Sequence, residues 1–163
     1  MSDHLIRLTR GEDVPALMAL YEDARRFMAQ TGNPRQWGPN RWPPEDLIRR
    51  DIGAGHSHVC EIGGRIAGTF FFDAGEAIEP TYAVIEDGAW IADGPYGVVH
   101  RIAARGCGRL CLDWAFARCG HLRIDTHPDN RPMQRLLEKC GFKYCGIIHV
   151  AQDNDPRLAF EKV

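Results

Sequence analysis

Long apolar runs, an excess of charge of one sign and a signal-peptide pattern are all missing from this sequence of 163 residues. No run approaches the roughly 20 apolar residues that a transmembrane helix needs. The formal net charge of −2 gives no electrostatic reason to expect a nucleic acid or an anionic membrane as partner. The N-terminal letters MSDHLIRLTR lack a charged and then apolar layout. We therefore expect a cytoplasmic protein that binds neither nucleic acid nor membrane.

The sequence also has no C-x-x-C pair, although it contains six cysteines, so a zinc site has little support. Several of these cysteines stand where the pattern requires core residues, and a free cysteine behaves as a small buried hydrophobe. We expect reduced, mostly structural thiols and no metal. The residues concerned are Cys60, Cys107, Cys111, Cys119, Cys140 and Cys145.

Length and patterning predict a single domain over residues 1–163, because no repeat, low-complexity segment or linker interrupts the chain. Apolar periodicity predicts the element order β-α-α-β-β-β-α-β-α-β-β. Hairpins and helix crossovers both occur in this order, so we predict an α/β fold with a mixed sheet. The predicted strands cover residues 5–8, 58–62, 65–73, 98–103, 122–126, 142–150 and, as an edge strand, 158–161. The predicted helices end before Thr31, cover 44–53 and 107–119, and begin after Asn130, while residues 74–96 are irregular.

The stretch from His100 to His149 is the most informative part of the sequence. A strand ends at Ala103, and a turn of sequence Gly106-Cys107-Gly108 opens a helix. Such a turn is a ready anion site, because its amides are free and the helix dipole favours negative charge. A second strand leads into Asn130-x-x-Met133-x-x-Leu136-Leu137-x-x-x-Gly141-Phe142, a helix that ends at Gly-Phe.

This layout resembles the GCN5-related N-acetyltransferases (GNAT family), which have a glycine turn followed by an asparagine-led helix that ends in Gly-Phe. The close match covers residues 98–149, and the element order matches over almost the whole chain. The resemblance implies a central, mostly antiparallel mixed sheet flanked by about four helices. It also implies that strands 98–103 and 122–126 splay apart to admit acetyl-CoA as co-substrate.

The resemblance assigns the cofactor-binding residues as well. The pyrophosphate would lie on the glycine turn, because glycine permits close approach to backbone amides, and flanking arginines could add charge-assisted hydrogen bonds. The pantetheine arm would pair with the strand before the turn, and the asparagine would reach the cofactor near its thiol. The predicted residues are Ile102, Ala103, Ala104, Arg105, Gly106, Cys107, Gly108, Arg109 and Asn130.

Two positions depart from the family pattern. The signature of Arg or Gln, two residues, Gly, one residue and Gly or Ala fits Arg105 and Gly108, but Leu110 occupies the last small position. Leu137 stands where many relatives carry a tyrosine that protonates the leaving thiolate. These departures motivate one alternative, a non-catalytic acyl-CoA-binding or sensor domain. A nucleotide-binding α/β protein is a second alternative, although neither a P-loop nor a complete G-x-G-x-x-G is present.

Acetyl transfer to an amine requires a base, and histidine is the first residue type to consider. His100 lies on the strand before the predicted pantetheine positions, and His127 ends the other splayed strand. We predict both as catalytic candidates, with Asp125 as the partner of His100 across the strand gap, and Tyr144 as a replacement acid. The structural alternatives are a hydrogen-bonded sheet histidine at 100, a turn-fixing histidine at 127 and a packing aromatic at 144.

The acceptor would approach from the Pro-rich loop with two tryptophans and from the segment before strand 98–103. Aromatic walls with carboxylates suit a cationic amine, although the tryptophans could equally form a packed lid. The predicted substrate-binding residues are Trp37, Trp42, Tyr82, Glu86, Trp90 and Asp125, with Asp87 in the same segment.

The expected activity is acetyl transfer to a primary amine of a small molecule, an amino acid or a peptide N-terminus. The resemblance implies direct transfer in a ternary complex, and an acetylated Cys107 or Cys145 is the alternative route. We expect a monomer or a homodimer.

Overall fold

The computed structural model describes residues 3–151, 153 and 155–163. Seven strands and four α-helices follow the predicted order, with short 3₁₀ turns at Gly11–Asp13 and Pro80–Tyr82. The strands are β1 (His4–Leu8), β2 (Ser57–Ile62), β3 (Arg65–Gly75), β4 (Tyr96–Ala104), β5 (Leu122–Thr126), β6 (Lys143–His149) and β7 (Pro156–Lys162). The helices are α1 (Val14–Gln30), α2 (Glu45–Gly53), α3 (Gly108–Cys119) and α4 (Arg131–Lys139).

The strands form one sheet in the order β1-β2-β3-β4-β5-β7-β6. Only the β4–β5 pair is parallel, and every other neighbouring pair is antiparallel. The predicted mixed, mostly antiparallel sheet with four helices is therefore confirmed. The edge assignment of the last strand is wrong, because β7 lies between β5 and β6. The chain returns from β6 as a hairpin, and the buried side chains of Phe160 and Glu161 fix β7 inside the sheet.

Apolar clusters cover both faces of the sheet. Strand neighbours point to opposite faces, and accordingly Val59 packs in the cluster with α1 and α2, whereas Cys60 packs in the cluster with α3 and α4. The α1 face contributes Leu17, Leu20 and Tyr21. Within the described residues, no helix is both long enough and apolar enough to cross a membrane.

Local turn chemistry explains where the elements begin and end. Gly63 and Gly64 both have positive φ (58° and 78°), the requirement of a tight type I′ hairpin between β2 and β3. Gly120 ends α3 in the left-handed conformation, with φ of 66°. Asn130 caps α4 by accepting a hydrogen bond from the amide of Met133 at 3.2 Å.

Candidate active site

The parallel strands β4 and β5 diverge soon after they begin. They pair only where Gly97 lies opposite Leu122 and Val98 opposite Arg123, although β4 continues to Ala104 and β5 to Thr126. The predicted splay of these two strands is thus present. Beyond Val98, the edge of β4 that faces β5 has no strand partner among the described residues.

A β-bulge bends β4 at the opening. His100 lies opposite Phe71 and Ala103 opposite Thr69, so that Arg101 and Ile102 together oppose a single residue of β3. Arg101 has a φ of 49°, in the left-handed region that a residue with a side chain seldom adopts. Such bulges redirect the backbone next to active sites. The bulge therefore turns the end of β4 away from β5.

A cleft with a volume of about 720 Å³ lies in this opening. Both splayed strands line it, together with the tryptophan loop, the segment before β4 and the start of α4. Among the lining residues are Gln36, Trp37, Trp42, Glu79, Thr81, Val99, His100, Arg101, Ile102, Ile124, Asp125, Thr126, Asn130, Met133 and Arg157. The cleft thus brings together six of the predicted site residues: His100, Ile102, Asn130, Trp37, Trp42 and Asp125.

His100 interacts with Glu79 inside the cleft. The His100 Nε2 atom lies 2.8 Å from Glu79 Oε2, and Thr81 Oγ1 donates to Glu79 Oε1 at 2.7 Å. Burial alone would raise the pKa of Glu79, but the hydrogen bonds from His100 and Thr81 outweigh it and lower the pKa to about 2. Glu79 is therefore ionised at neutral pH. It fixes the ring with Nε2–H as donor and leaves Nδ1 to accept a proton.

Asp125 contacts a tyrosine and not His100. Tyr82 Oη donates to Asp125 Oδ1 at 2.6 Å, and burial followed by the charge of Asp125 raises the pKa of Tyr82 well above its ordinary value. The expected His100–Asp125 pairing is therefore replaced by His100–Glu79. The physical reason is that the segment around the 3₁₀ turn at Pro80–Tyr82 brings Glu79 to His100 and Tyr82 to Asp125. Both carboxylates nevertheless belong to one cleft.

The two tryptophans are at once packed and cleft-lining. Trp37 is only 6% exposed and meets Tyr21 edge to face, with ring centroids 5.7 Å apart. Gln36, beside it, accepts hydrogen bonds from Asn130 Nδ2 at 2.9 Å and from Asn33 Nδ2 at 2.8 Å. Asn130 therefore caps α4 and also ties the tryptophan loop to it.

The charges of the cleft leave an excess of carboxylate. The guanidinium of Arg101 binds Asp51 through two hydrogen bonds of 2.9 and 3.1 Å, and Arg157 binds Asp153 at 2.9 Å. Each arginine is thus already neutralised by an acid. Glu79 and Asp125 instead contact groups that carry no permanent charge. The free charge of the cleft is negative, which favours a cationic ligand.

The two glycines of the turn before α3, Gly106 and Gly108, have different roles. Gly106 has a φ of 79°, and no atom lies within 4 Å of the position that a Cβ would take. A Cβ on Gly108 would lie 2.8 Å from Leu136 Cδ2, so that glycine serves the packing of α3 on α4. Arg105 forms an ion pair with Asp23, and Arg109 lies 3.7 Å from Asp113. Gly106 is consequently the glycine that suits a ligand.

Cys107, between these glycines, is fully buried beneath the turn. Hydrogen bonds from Cys111 and Cys60 lower the pKa of Cys107 to about 6, against the opposing effect of burial. All six cysteines are free thiols, and Cys119 alone is not buried. Neither Cys107 nor Cys145, the candidates for a covalent route, lines the cleft.

Several predicted residues lie outside the cleft. His127 is 4% exposed, contacts Asp155 through Nε2 at 2.9 Å and accepts the amide of Asp129 on Nδ1 at 3.0 Å, which fixes the turn before α4. Tyr144 is exposed on β6 and packs edge-on against Phe160. Their catalytic assignments stay predictions.

Some residues of the segment before β4 line the cleft, and others do not. Trp90 donates from its indole to the carbonyl of Tyr82 at 2.9 Å and is not among the described residues that line the cleft. Glu86 is exposed and lies 3.4 Å from His149, while Asp87 has a positive φ of 55°. Of this segment, Glu79 and Thr81 line the cleft, and Tyr82 acts through Asp125.

Sequence reasoning missed Glu79, Gln36 and Thr126. The side-chain oxygen of Thr126 is buried and has no hydrogen-bond partner among the described residues. The only sequence signal for Glu79 is an acidic residue directly before Pro80, and Glu76, Glu86 and Asp87 lie in the same irregular segment. Nothing periodic distinguishes one of these acids from another.

Comparison with known proteins identifies the family. The family described as "Acetyltransferase (GNAT) domain" matches residues 4–143. A GNAT-family acetyltransferase structure from Streptococcus agalactiae is 32% identical, with 98% of this chain and 95% of that chain covered and a TM-score of 0.83. The comparison with curated protein sequences returned no match.

More distant structures share the fold. A GNAT-family acetyltransferase from Listeria monocytogenes is 18% identical, covers 98% of this chain and 94% of its own, and has a TM-score of 0.68. YncA from Salmonella typhimurium, solved with its cofactor acetyl-CoA, is 16% identical over 97% of this chain and 92% of its own, with a TM-score of 0.59. Given the match over residues 4–143 and the 32% identity, the chain belongs to the GNAT family of acetyltransferases and is an acyltransferase.

Proposed function

We propose that this enzyme transfers the acetyl group of acetyl-CoA to a primary amine of a cationic small molecule, an amino acid or a peptide N-terminus, by direct transfer in a ternary complex. The observation that carries the proposal is the His100–Glu79 pair inside the cleft between β4 and β5. A histidine that could accept a proton beside the gap that would receive the acyl donor supports this proposal.

Three features of the opening fit acetyl-CoA. The edge of β4 beyond Val98 has no strand partner in the described ladder, which suits the amides of a pantetheine arm. Thr126, whose buried Oγ1 has no hydrogen-bond partner among the described residues, lines the same cleft, and Gly106 offers open backbone before α3. Ile102 and Asn130 line the cleft between these points. When bound, acetyl-CoA would supply a thioester that an amine can attack.

His100 is the residue to which we assign the general base. An ammonium ion must lose a proton before its nitrogen can attack, and a positioned imidazole typically accelerates such transfers by about 10²–10⁴-fold. The proton passes from the amine to Nδ1, because Nε2 faces Glu79. Glu79 then stabilises the imidazolium, in the way that an aspartate orients the histidine of a Ser-His-Asp triad.

The balance of charges in the cleft indicates that the acceptor is a cation. Arg101 and Arg157 are each paired with an aspartate, whereas Glu79 and Asp125 remain available to attract an ammonium group. Trp37 and Trp42 add aromatic faces that favour a cation. Among the described residues that line the cleft, none is a tyrosine.

Release of free CoA tests the proposal. Purified protein is incubated with acetyl-CoA and a panel of cationic small amines, amino acids and peptides with free N-termini, and the new thiol is quantified. We expect release with a cationic amine and a loss of about 10²–10⁴ in kcat for His100→Gln. His149→Gln is the matched control, because His149 is an exposed histidine that also contacts a glutamate.

Two outcomes would contradict the proposal. Binding of acetyl-CoA without CoA release on any amine would support the sensor alternative, which the leucine at 137 motivates. Equal activity of the His100→Gln and wild-type proteins would mean that the base lies elsewhere. His127→Gln would then be the next variant to assay. Both ring nitrogens of His127 already have hydrogen-bond partners.

A further inference from the structure

Three cysteine side chains converge beneath the glycine turn. The sulfur atoms of Cys60, Cys107 and Cys111 all lie within 4.8 Å of one another. They come from β2, from the residue that precedes α3 and from the first turn of α3. All three residues are fully buried, with 0% exposure. The acetyl-transfer mechanism uses none of these sulfurs.

The backbone holds the three sulfurs together. The amide of Cys111 donates to the carbonyl of Cys107 at 3.1 Å, and residues four apart on a helix share one face. Cys60 points to the same face of the sheet as α3. A Cβ on Gly68 would lie 2.6 Å from the sulfur of Cys107. The glycine at position 68 therefore leaves the room that this sulfur occupies.

The spacing of the sulfurs fits three-fold coordination of one ion. Three sulfurs at about 2.3 Å from a shared metal would lie about 4.0 Å apart in a plane, within the 4.8 Å limit that the three atoms satisfy. Structural zinc sites are almost always four-coordinate. In the part of the chain that the structure describes, the cluster contains three ligand residues and no fourth. Soft thiolates without a fourth ligand favour Cu(I) over Zn(II).

The surroundings favour a soft ion of low charge. The cluster is embedded among apolar side chains that include Phe70 and Leu112, where a hard, hydrated cation would lose its water without compensation. The negative charge of bound thiolates would lie at the N-terminus of α3, which the helix dipole stabilises. Arg105 and Gly106, the two residues before the buried Cys107, are exposed.

We propose that Cys60, Cys107 and Cys111 form a three-coordinate thiolate site for a soft monovalent metal ion of the Cu(I) class. Each thiol that binds the ion releases its proton to solvent, and no electron is transferred. Cys107 is both a ligand and the residue at which α3 begins. Binding would therefore immobilise the glycine turn that lies over the site. The proposal is independent of the acceptor amine and of the acetyl-transfer step.

A competition titration tests the site. The full-length reduced protein is titrated under nitrogen with Cu(I) held by a chromophoric chelator. We expect one Cu(I) per chain and an affinity that falls about 100-fold or more in Cys107→Ser and in Cys60→Ser. Cys145→Ser is the matched control, since Cys145 is a buried thiol outside the cluster. Equal affinity in Cys107→Ser and Cys145→Ser, or no binding by the wild type, would overturn the proposal.

X-ray absorption of the wild-type Cu(I) protein avoids any dependence on how the variants fold. Three sulfur neighbours at about 2.3 Å would support the site. Two sulfurs, or a shell with nitrogen or oxygen, would overturn it. A parallel titration with Zn(II) should give weaker binding than Cu(I), and tighter binding of Zn(II) would overturn the assignment to a monovalent ion.

Discussion

The hydroxyl of Tyr21 on α1 donates a 2.8 Å hydrogen bond to the carbonyl of Arg101 at the bulge of β4. Burial raises the pKa of Tyr21, so the hydroxyl keeps its proton and remains a donor. From the other side, Asp51 on α2 holds the guanidinium of Arg101 with two hydrogen bonds. The first two helices thus fix the backbone of the one residue whose positive φ turns β4 away from β5.

Tyr21→Phe should weaken the bulge without removing the ring that packs in the core. A net loss of about 1–2 kcal/mol in the free energy of unfolding is expected, because the carbonyl of Arg101 loses its donor. The KM for acetyl-CoA should rise more than kcat falls, since the bulge positions backbone and not the base. Urea unfolding and steady-state kinetics measure both effects. For stability, Tyr144→Phe is the control, because the side chain of Tyr144 is exposed. If Tyr21→Phe has the same free energy of unfolding and the same KM as the wild type, the contact from α2 is enough to hold the bulge.

Glu79→Gln should alter how stability depends on pH. The folded pKa of about 2 lies below the unfolded value of about 4.3, so the carboxylate contributes stability above about pH 4.3 that is lost as the pH falls toward 2. The difference in free energy of unfolding between the wild type and Glu79→Gln should therefore shrink across that window. Glu86→Gln, at an exposed carboxylate, should show no such change. A constant difference from pH 7 to pH 3 would contradict the assignment.

The same Glu79→Gln variant should slow catalysis. Glu79 is the carboxylate that orients His100, with His100 Nε2 2.8 Å from Glu79 Oε2. Its removal leaves the proposed imidazolium without a charged partner, so kcat should fall. The kcat values of the two proteins, measured with one amine at saturating acetyl-CoA, give the result. Equal kcat values would contradict a role for Glu79 in catalysis.

Gly106→Ala should separate ligand contact from backbone strain. Gly106 and Gly120 both have positive φ, 79° and 66°, and both have open space where a Cβ would lie. Each alanine variant should therefore lose about 1 kcal/mol of stability. Only Gly106→Ala should also raise the Kd for acetyl-CoA, by about tenfold, because Gly120 lies at the far end of α3. Calorimetric titration of both variants tests this, and equal Kd values would remove the turn from the cofactor site.

Glu161→Gln should destabilise the sheet between β5 and β7. Glu161 is fully buried, lies 2.5 Å from His121 Nε2 and accepts from Arg123 Nε at 2.8 Å. Burial opposes ionisation, but these partners outweigh it and lower the pKa of Glu161. Loss of one member of a buried charge network typically costs about 3–5 kcal/mol. Glu138→Gln on the exposed face of α4 should change the free energy of unfolding by less than about 0.5 kcal/mol. A similarly small change in Glu161→Gln would mean that the network contributes no net stability.

Because the pKa of Glu161 is lowered, its contribution to the free energy of unfolding depends on pH. A carboxylate whose folded pKa is lowered stabilises the fold above its unfolded pKa of about 4.3, and the contribution fades as the pH falls below that value. The cost of Glu161→Gln should therefore be smaller at pH 3 than at pH 7. Urea unfolding at the two pH values measures the change, and an equal cost would assign the effect to packing.

The sequence alone determined which elements form, because each depends on neighbouring residues. Signals of this kind act within one turn of the chain. They are the paired glycines at 63 and 64, the asparagine three residues before Met133 and the helical spacing from Leu17 to Met28. The order of elements, with the glycine turn and the asparagine-led helix, was enough to identify the family and the splayed strands. These features need no knowledge of distant contacts.

Only the tertiary structure decided which distant side chains meet. Glu79 lies in a segment without periodicity, and its contact with His100 follows from how that segment folds against β4. The same holds for β7, which enters the sheet between β5 and β6, and for Cys60, which reaches Cys107 across the core. Contacts between residues far apart in the chain depend on the packing of whole elements, and local spacing carries no record of that packing.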